Sequence, residues 1–356
     1  MCGHQDVPWF GWTWQQVRAC VLVVGFLAIA RGSIGWTQER AARHALESTR
    51  RMDWPVTAIA FSPDGQRLLC GSTGPLQILK WPDLGAAGAL ATSLETVLDL
   101  QFSPSGRWLL VAGGTPGESG VIEVWDWNRQ QLLRKLALHD DAIFQCAWEG
   151  AERRWGTASF DGRCCVYDWE EGTVAFEFSG HSKGVLTIAA WDDRRWISAG
   201  VDDSIRLWGR SPGKTDKAIT DKATTDKAIT DKVLTNHLGD VLQIVPLALS
   251  NPPRLFSISE DRTIRMWHPE IGRMVRFERL AAVPSTACWD AENQEIVVGF
   301  QDGSICRRDG NTLAVSDTFV FPSHSIFELA IHPHDSRLAV SLGESIAVLS
   351  ARPKEE

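Results

Sequence analysis

Residues 181–208 read HSKGVLTIAAWDDRRWISAGVDDSIRLW. Three short apolar runs stand out, VLTIAA from Val185, RWISAG from Arg195 and SIRLW from Ser204, parted by clusters of Asp, Arg and Gly. Runs of this length with turn residues between them predict an antiparallel meander. Four polar or aromatic residues punctuate it: His181 ahead of the first run, Ser198 within the second, Asp202 in the turn before the third, and Trp208 at its end. An Asp drawn into a tight turn needs hydrogen-bond donors, which backbone N–H groups and a His ring N–H supply.

The arrangement recurs on both sides. His237, Ser257, Asp261 and Trp267 repeat it downstream, and His139, Thr157 and Asp161 repeat it upstream with Tyr167 in the place of the Trp. The first strand of the unit ends at equivalent positions Phe61, Phe102, Trp148, Ala190, Pro246, Trp289 and Ile331, separated by 41, 46, 42, 56, 43 and 42 residues. Six intervals define seven units. A lone four-stranded sheet leaves one face bare, so such units stack around an axis, and the reading is all-β: a seven-bladed β-propeller of four-stranded antiparallel sheets over residues 41–350. The last unit has three clear strands, and its open edge invites pairing. Residues 42–49 have the place and length to close the ring from the N-terminal side. Residues 351–356 form a tail.

The 56-residue interval holds a tandem pentapeptide, TDKAI-TDKAT-TDKAI-TDKVL, from Thr215 to Leu234. A period of five gathers no apolar face on a helix or a strand, so residues 213–234 are expected to be a mobile insert.

These sets resemble the WD40-repeat family over roughly residues 42–350, and Trp125-Asp126 and Tyr167-Asp168 match its dipeptide. The resemblance implies that each set is a structural chain of bonds, Asp to His to hydroxyl to indole. It also implies a scaffold that presents loop faces to peptide or protein partners, without cofactor or catalysis of its own. Related propellers hold peptides beside the turn Asp, which carries over to Phe160, Val201, Glu260 and Gln301. Phe160 is the favoured anchor, unless it folds down over its neighbour. Departures are plain: the first two units lack the turn Asp, Arg308 stands where the sixth would have Trp, and the seventh has no matching Asp. Those blades are expected to be held mainly by packing.

A His/Ser/Asp trio also invites a catalytic reading, but three copies ending in an aromatic do not describe one activated nucleophile, and no GxSxG elbow is present. No phosphate-binding or dinucleotide loop appears, and His332, His334 and Asp335 read as a surface turn, so no metal or cofactor is expected. Arg67, Arg107, Arg154, Arg195, Arg254 and Arg337 each precede the second strand of a blade. They form either a ring of positive charge for an acidic partner or the point where strands leave solvent.

Thirty-six basic against forty-four acidic residues give a net charge of −8, which disfavours nucleic acid. Eight Cys without a CxxC pair read as free thiols of a reducing compartment, hence a cytoplasmic protein. Within the N-terminal extension 1–40 the run ACVLVVGFLAIA, Ala19 to Ala30, is too short to span a bilayer but fits a signal-peptide core. The Trp-rich leader and the arginines after the run speak instead for a non-native extension or an appended packed segment. The signal reading makes the alternative an exported or membrane-anchored ligand-binding propeller, with a propeller enzyme a distant third.

Overall fold

A computed structural model of the chain describes residues 46–209, 226–247 and 250–350. It is a ring of seven β-sheets, each taking its strands in order from the centre outward. Blade 1 comprises Ala58–Phe61, Arg67–Gly71, Leu76–Lys80 and Ala86–Leu90. Blade 2 comprises Thr96–Phe102, Trp108–Thr115, Ser119–Asp126 and Gln131–His139. Blade 3 comprises Ile143–Trp148, Arg154–Ser159, Cys164–Asp168 and Thr173–Phe178. Blade 4 comprises Val185–Ala190, Arg195–Gly200, Ile205–Gly209 and Ile229–Leu234. Blade 5 comprises Val241–Leu247, Arg254–Ser259, Thr263–His268 and Arg273–Arg279. Blade 6 comprises Pro284–Asp290, Glu295–Phe300, Ser304–Asp309 and Val315–Val320. Blade 7 takes Glu328–Ile331, Leu338–Ser341 and Ser345–Leu349 from the end of the chain and Leu46–Arg51 from its beginning.

The expected ring closure is thus in place: Arg51 pairs with Ser345 and Leu46 with Leu349. Leu46–Arg51 covers the edge that Ser345–Leu349 would otherwise leave open on the outer side of blade 7. The core lies between blades. Each middle strand is buried on both faces, as in Leu68–Leu69 or Val297–Val298 at 0% exposure, because two neighbouring sheets cover it.

One irregularity repeats from blade to blade. Between the third and outer strands the register shifts beside the aromatic position, at Val124/Trp125, Val166/Tyr167, Leu207/Trp208 and Met266/Trp267. A bulge adds twist and bends its strand, here turning the outer strand away from the core while the indole stays inside.

The insert departs from expectation at its C-terminal end. Ile229–Leu234 is the outer strand of blade 4, with Leu234 only 3% exposed against Ile205. Asp226 and Lys227 pair in parallel with Phe176 and Glu177 of blade 3. The expectation of a mobile insert up to residue 234 therefore fails for Ile229–Leu234. Pentapeptide periodicity hides a strand because the sheet selects a single copy, and the copy ending in Val233 and Leu234 supplies the apolar residue that the blade needs. Residues 213–225 lie outside the described residues, as does the apolar run 19–30. No helix among the described residues is long and apolar enough to cross a membrane.

Candidate interaction face

In blade 4 the outer strand of blade 3 delivers His181 above the second strand, and the turn after that strand delivers Asp202. His181 Nδ1 lies 3.0 Å from Asp202 Oδ1, and Nε2 lies 2.8 Å from Ser198 Oγ. Trp208 Nε1 donates to the same hydroxyl at 2.9 Å. A carboxylate only accepts, so Nδ1 carries the proton, and the Ser198 hydroxyl donates to Nε2 while accepting from the indole. Ser182 N and Ser204 Oγ also donate to Asp202, at 3.1 and 2.6 Å. Blade 5 repeats the chain through His237, Asp261, Ser257 and Trp267 at 2.9, 2.7 and 2.8 Å.

Blade 3 keeps only part of it. His139 lies 2.9 Å from Asp161 and 2.8 Å from Thr157, but the Tyr167 hydroxyl turns away and accepts from Arg134 Nη1 at 2.7 Å. Tyr167 is therefore not a member of the chain. A phenol oxygen stands farther from the ring than an indole nitrogen and points past the Thr157 hydroxyl.

The turn carboxylates stay ionised. Burial works against ionisation, yet the His139 bond and the Arg163 charge hold Asp161 down at about 2. His181 and His237 with the neighbouring donors hold Asp202 and Asp261 well below the usual carboxylate range. Burial pushes the His237 imidazole down despite Asp261 beside it. The hydroxyls lie out of reach of any substrate: Thr157 and Ser198 are 0% exposed and Ser257 is 1%.

Phe160, Val201, Glu260 and Gln301 occupy one position in four successive turns, each N–H donating to a carbonyl that enters the inner strand: Ala142, Gly184, Asp240 and Val283 at 3.2, 2.9, 3.0 and 3.1 Å. Their side chains diverge. Phe160 is not a free loop-tip aromatic, since it packs over Phe144 with 5.6 Å between ring centres and lies against Gly184 of the next blade. Val201 is buried with it. Glu260 and Gln301 remain half-exposed. Burial, then the charges of Asp240 and Asp203, pushes the Glu260 carboxyl up, and burial with Asp203 pushes Asp240 up.

The arginines sit where strands leave solvent, but they do not make a ring of open positive charge. Arg154 is buried against Asp168, Arg195 is held between Asp192 and Glu270, and Arg337 between Asp335 and Glu47. Arg254 donates to Gly310 O and Asn311 Oδ1. Arg107 lies over the Trp108 ring at 4.1 Å, and Arg67 is half-buried. Intramolecular pairing, more favourable than a bare exposed cation at the end of each strand, removes most of the charge an acidic partner would meet.

Blades without the full set are tied by groups that motif spacing does not show. In blade 2, Glu123 is 0% exposed and accepts from Ser93 N at 2.9 Å, Ser93 Oγ at 2.5 Å and Trp125 Nε1 at 3.0 Å. In blade 6, Arg307 is 2% exposed and reaches Asp290 at 2.6 Å and Glu295 at 3.5 Å, while Ser336 of blade 7 donates to Asp290 at 3.1 Å. In blades 2 and 6 these bonds add to the packing that mainly holds them. Arg308, in the Trp place, donates to Leu313 O at 2.8 Å.

A belt of bonds also joins the inner strands. Each member lies three residues before a strand-end position, and its oxygen faces the next blade: Asp99 accepts from Cys146 N at 2.8 Å, Gln145 from Ile188 N at 2.9 Å, Thr187 from Ile244 N at 3.2 Å and Gln243 from Ala287 N at 2.7 Å. Thr286 donates to Glu328 at 2.8 Å. That recurring polar position was the available sequence signal. Asp99 is its anomaly, pushed up to about 6 by burial and by the Glu328 charge, against the Cys146 N–H. A carboxyl whose folded pKa is raised loses stability as pH climbs from about 4 through about 6. Asp99→Asn keeps an acceptor for Cys146, so thermal melts should show it more stable than the parent at pH 7.5, by on the order of 1–3 kcal/mol, and equal at pH 4.

The family model "WD domain, G-beta repeat" matches residues 48–74, 90–126 and 172–209. Among curated relatives, the pre-rRNA-processing protein IPI3 of Yarrowia lipolytica is 26% identical over 58% of this chain and 46% of its own length. Human coronin-7 is 31% identical over 43% of this chain and 18% of its own. The apoptotic protease-activating factor 1 of Danio rerio is 28% identical over 68% of this chain and 17% of its own. The chain spans less than half the length of each. Three matches to the WD40 model fall on the repeats, and the repeats build seven blades in which two complete His–Ser–Asp–Trp sets bind as that repeat's pattern requires: the chain is a seven-bladed β-propeller that carries WD40 repeats.

Proposed function

We propose that the chain is a non-catalytic, cytoplasmic interaction platform that receives a protein or peptide partner on the face of the turn carboxylates, at Glu260 and Gln301. The observation that carries this reading is the burial of all three Ser/Thr hydroxyls, each already bonded to His, which leaves the trios a structural role. Glu260, Asp240 and Asp203 repel one another on the same face, and a Lys or Arg side chain from a partner would relieve that repulsion. The six described cysteines are free, which supports a reducing compartment.

The test is affinity capture with the full chain against a Glu260→Lys, Gln301→Glu variant, read by quantitative mass spectrometry beside melting curves. Partners held by the parent and released by the variant, at equal melting temperature, are expected. Identical capture by both proteins overturns this choice of face.

A further inference from the structure

The outer strand of blade 5 reads RMVRFER, Arg273–Arg279. Val275 is 57% and Phe277 51% exposed, and Ile271 in the turn before them is 61% exposed. Arginines on other outer strands are engaged: Arg134 with Tyr167, Arg50 with Leu84 O and Arg51 with Glu344. Arg273, Arg276 and Arg279 are exposed and form no ion pair among the described residues. Lys232 of blade 4 lies close to the Gly272 turn and adds a fourth cation. Glu278 is the one acid on the strand. In a chain of net charge −8, this is a local reversal of sign combined with exposed apolar side chains.

Edge strands are usually blunted by charge, but charge alone does not account for the exposure of Val275 and of Phe277, whose one ring contact among the described residues is the Arg265 guanidinium at 5.8 Å. This strand is also the last in its sheet, so its outward N–H and C=O groups have no ladder partner among the described residues. The molecule already fills such an edge once. On blade 3, Asp226 and Lys227 add in parallel to Phe176 and Glu177, with Ala228 N donating to Glu177 O at 2.9 Å.

We propose that Arg273–Arg279 is a docking edge for an extended acidic segment of a partner protein, which adds to blade 5 as a further strand. Backbone pairing would give affinity, Glu or Asp at alternate positions would meet Arg273 and Arg276, which the bulge at Val275 brings to one face, and apolar residues between them would cover Phe277 on the other, beside Arg279. A lipid surface offers no backbone to pair with the edge, and a polynucleotide would face the chain's net negative charge. The inference rests on the platform reading but uses a different surface from Glu260, so either can fail alone.

The probe is a fluorescein-labelled peptide alternating Glu with Val, titrated into the full chain by anisotropy. Binding is expected to weaken with added salt and to fall roughly tenfold or more in the Arg273→Glu, Arg276→Glu, Arg279→Glu variant. It is expected to fall likewise when the peptide backbone is N-methylated, and hydrogen exchange should slow within residues 273–279. A Val275→Thr, Phe277→Thr variant should weaken binding while leaving its salt dependence in place, and Glu260→Lys should leave binding unchanged. No binding, equal binding by the charge-reversed variant with an unchanged melting curve, or protection confined elsewhere overturns the proposal. So does tighter binding of an oligonucleotide or a phosphatidylserine vesicle through the same arginines.

Discussion

Replacing Arg307 by Met is expected to destabilise the chain by about 3–5 kcal/mol, the usual cost of removing one partner from a buried ion pair. Asp290 is 0% exposed and Glu295 5%, so neither carboxylate can recruit water when the guanidinium is gone. Asn293 and Ser336 still donate to Asp290, but neutral donors do not balance its charge. Adding Asp290→Asn should recover a large part of the loss, because the double variant buries no unpaired carboxylate at that position. Urea unfolding followed by tryptophan fluorescence measures both. A single-variant loss below about 1 kcal/mol would mean that the pair is solvated in a way its burial denies.

Asp202→Ala is expected to cost about 1–3 kcal/mol for each buried donor left without an acceptor. His181 Nδ1–H, which is buried, loses its acceptor, whereas the exposed Ser182 N–H can turn to water. The sign of the pH dependence follows from the depressed carboxyl. Its contribution is complete above the unfolded value near 4 and fades as pH falls toward the folded value. The gap between parent and variant should therefore narrow on acidification and hold steady from pH 5 to pH 8. A gap that widens in acid would place the proton on Asp202 at neutral pH.

Much of this was readable in the sequence, and the failures share a cause. The seven strand-end positions fall at or within a residue of strand ends, because alternation and turn chemistry are local properties of the chain. The sets in blades 4 and 5 were legible because their members recur at fixed spacing. Glu123 and Arg307 were not, since each is a single charged residue on a strand whose burial comes from a neighbouring blade, and nothing local marks it. Tyr167 fits the pattern by class and misses it by geometry. Ile229–Leu234 reads as one more pentapeptide copy, and only pairing with Ile205–Gly209 distinguishes it. Phe160 carries two readings in sequence, an exposed anchor or a ring folded over its neighbour, and the space that Gly184 leaves decides for the second.

The claim that the trios hold blades together rather than perform chemistry is tested most directly by a double-mutant cycle on Asp202→Ala and Trp208→Phe. Trp208 is 0% exposed and donates to the hydroxyl that His181 also engages, so the two residues act on one chain of bonds. The Phe variant keeps most of the apolar area and loses the N–H, so it should cost less than Asp202→Ala. The double variant should lose less than the two singles together, with a coupling of about 0.5–3 kcal/mol. Negligible single effects that add fully, in a protein whose melting curve ignores Ser198→Ala, would contradict the structural assignment.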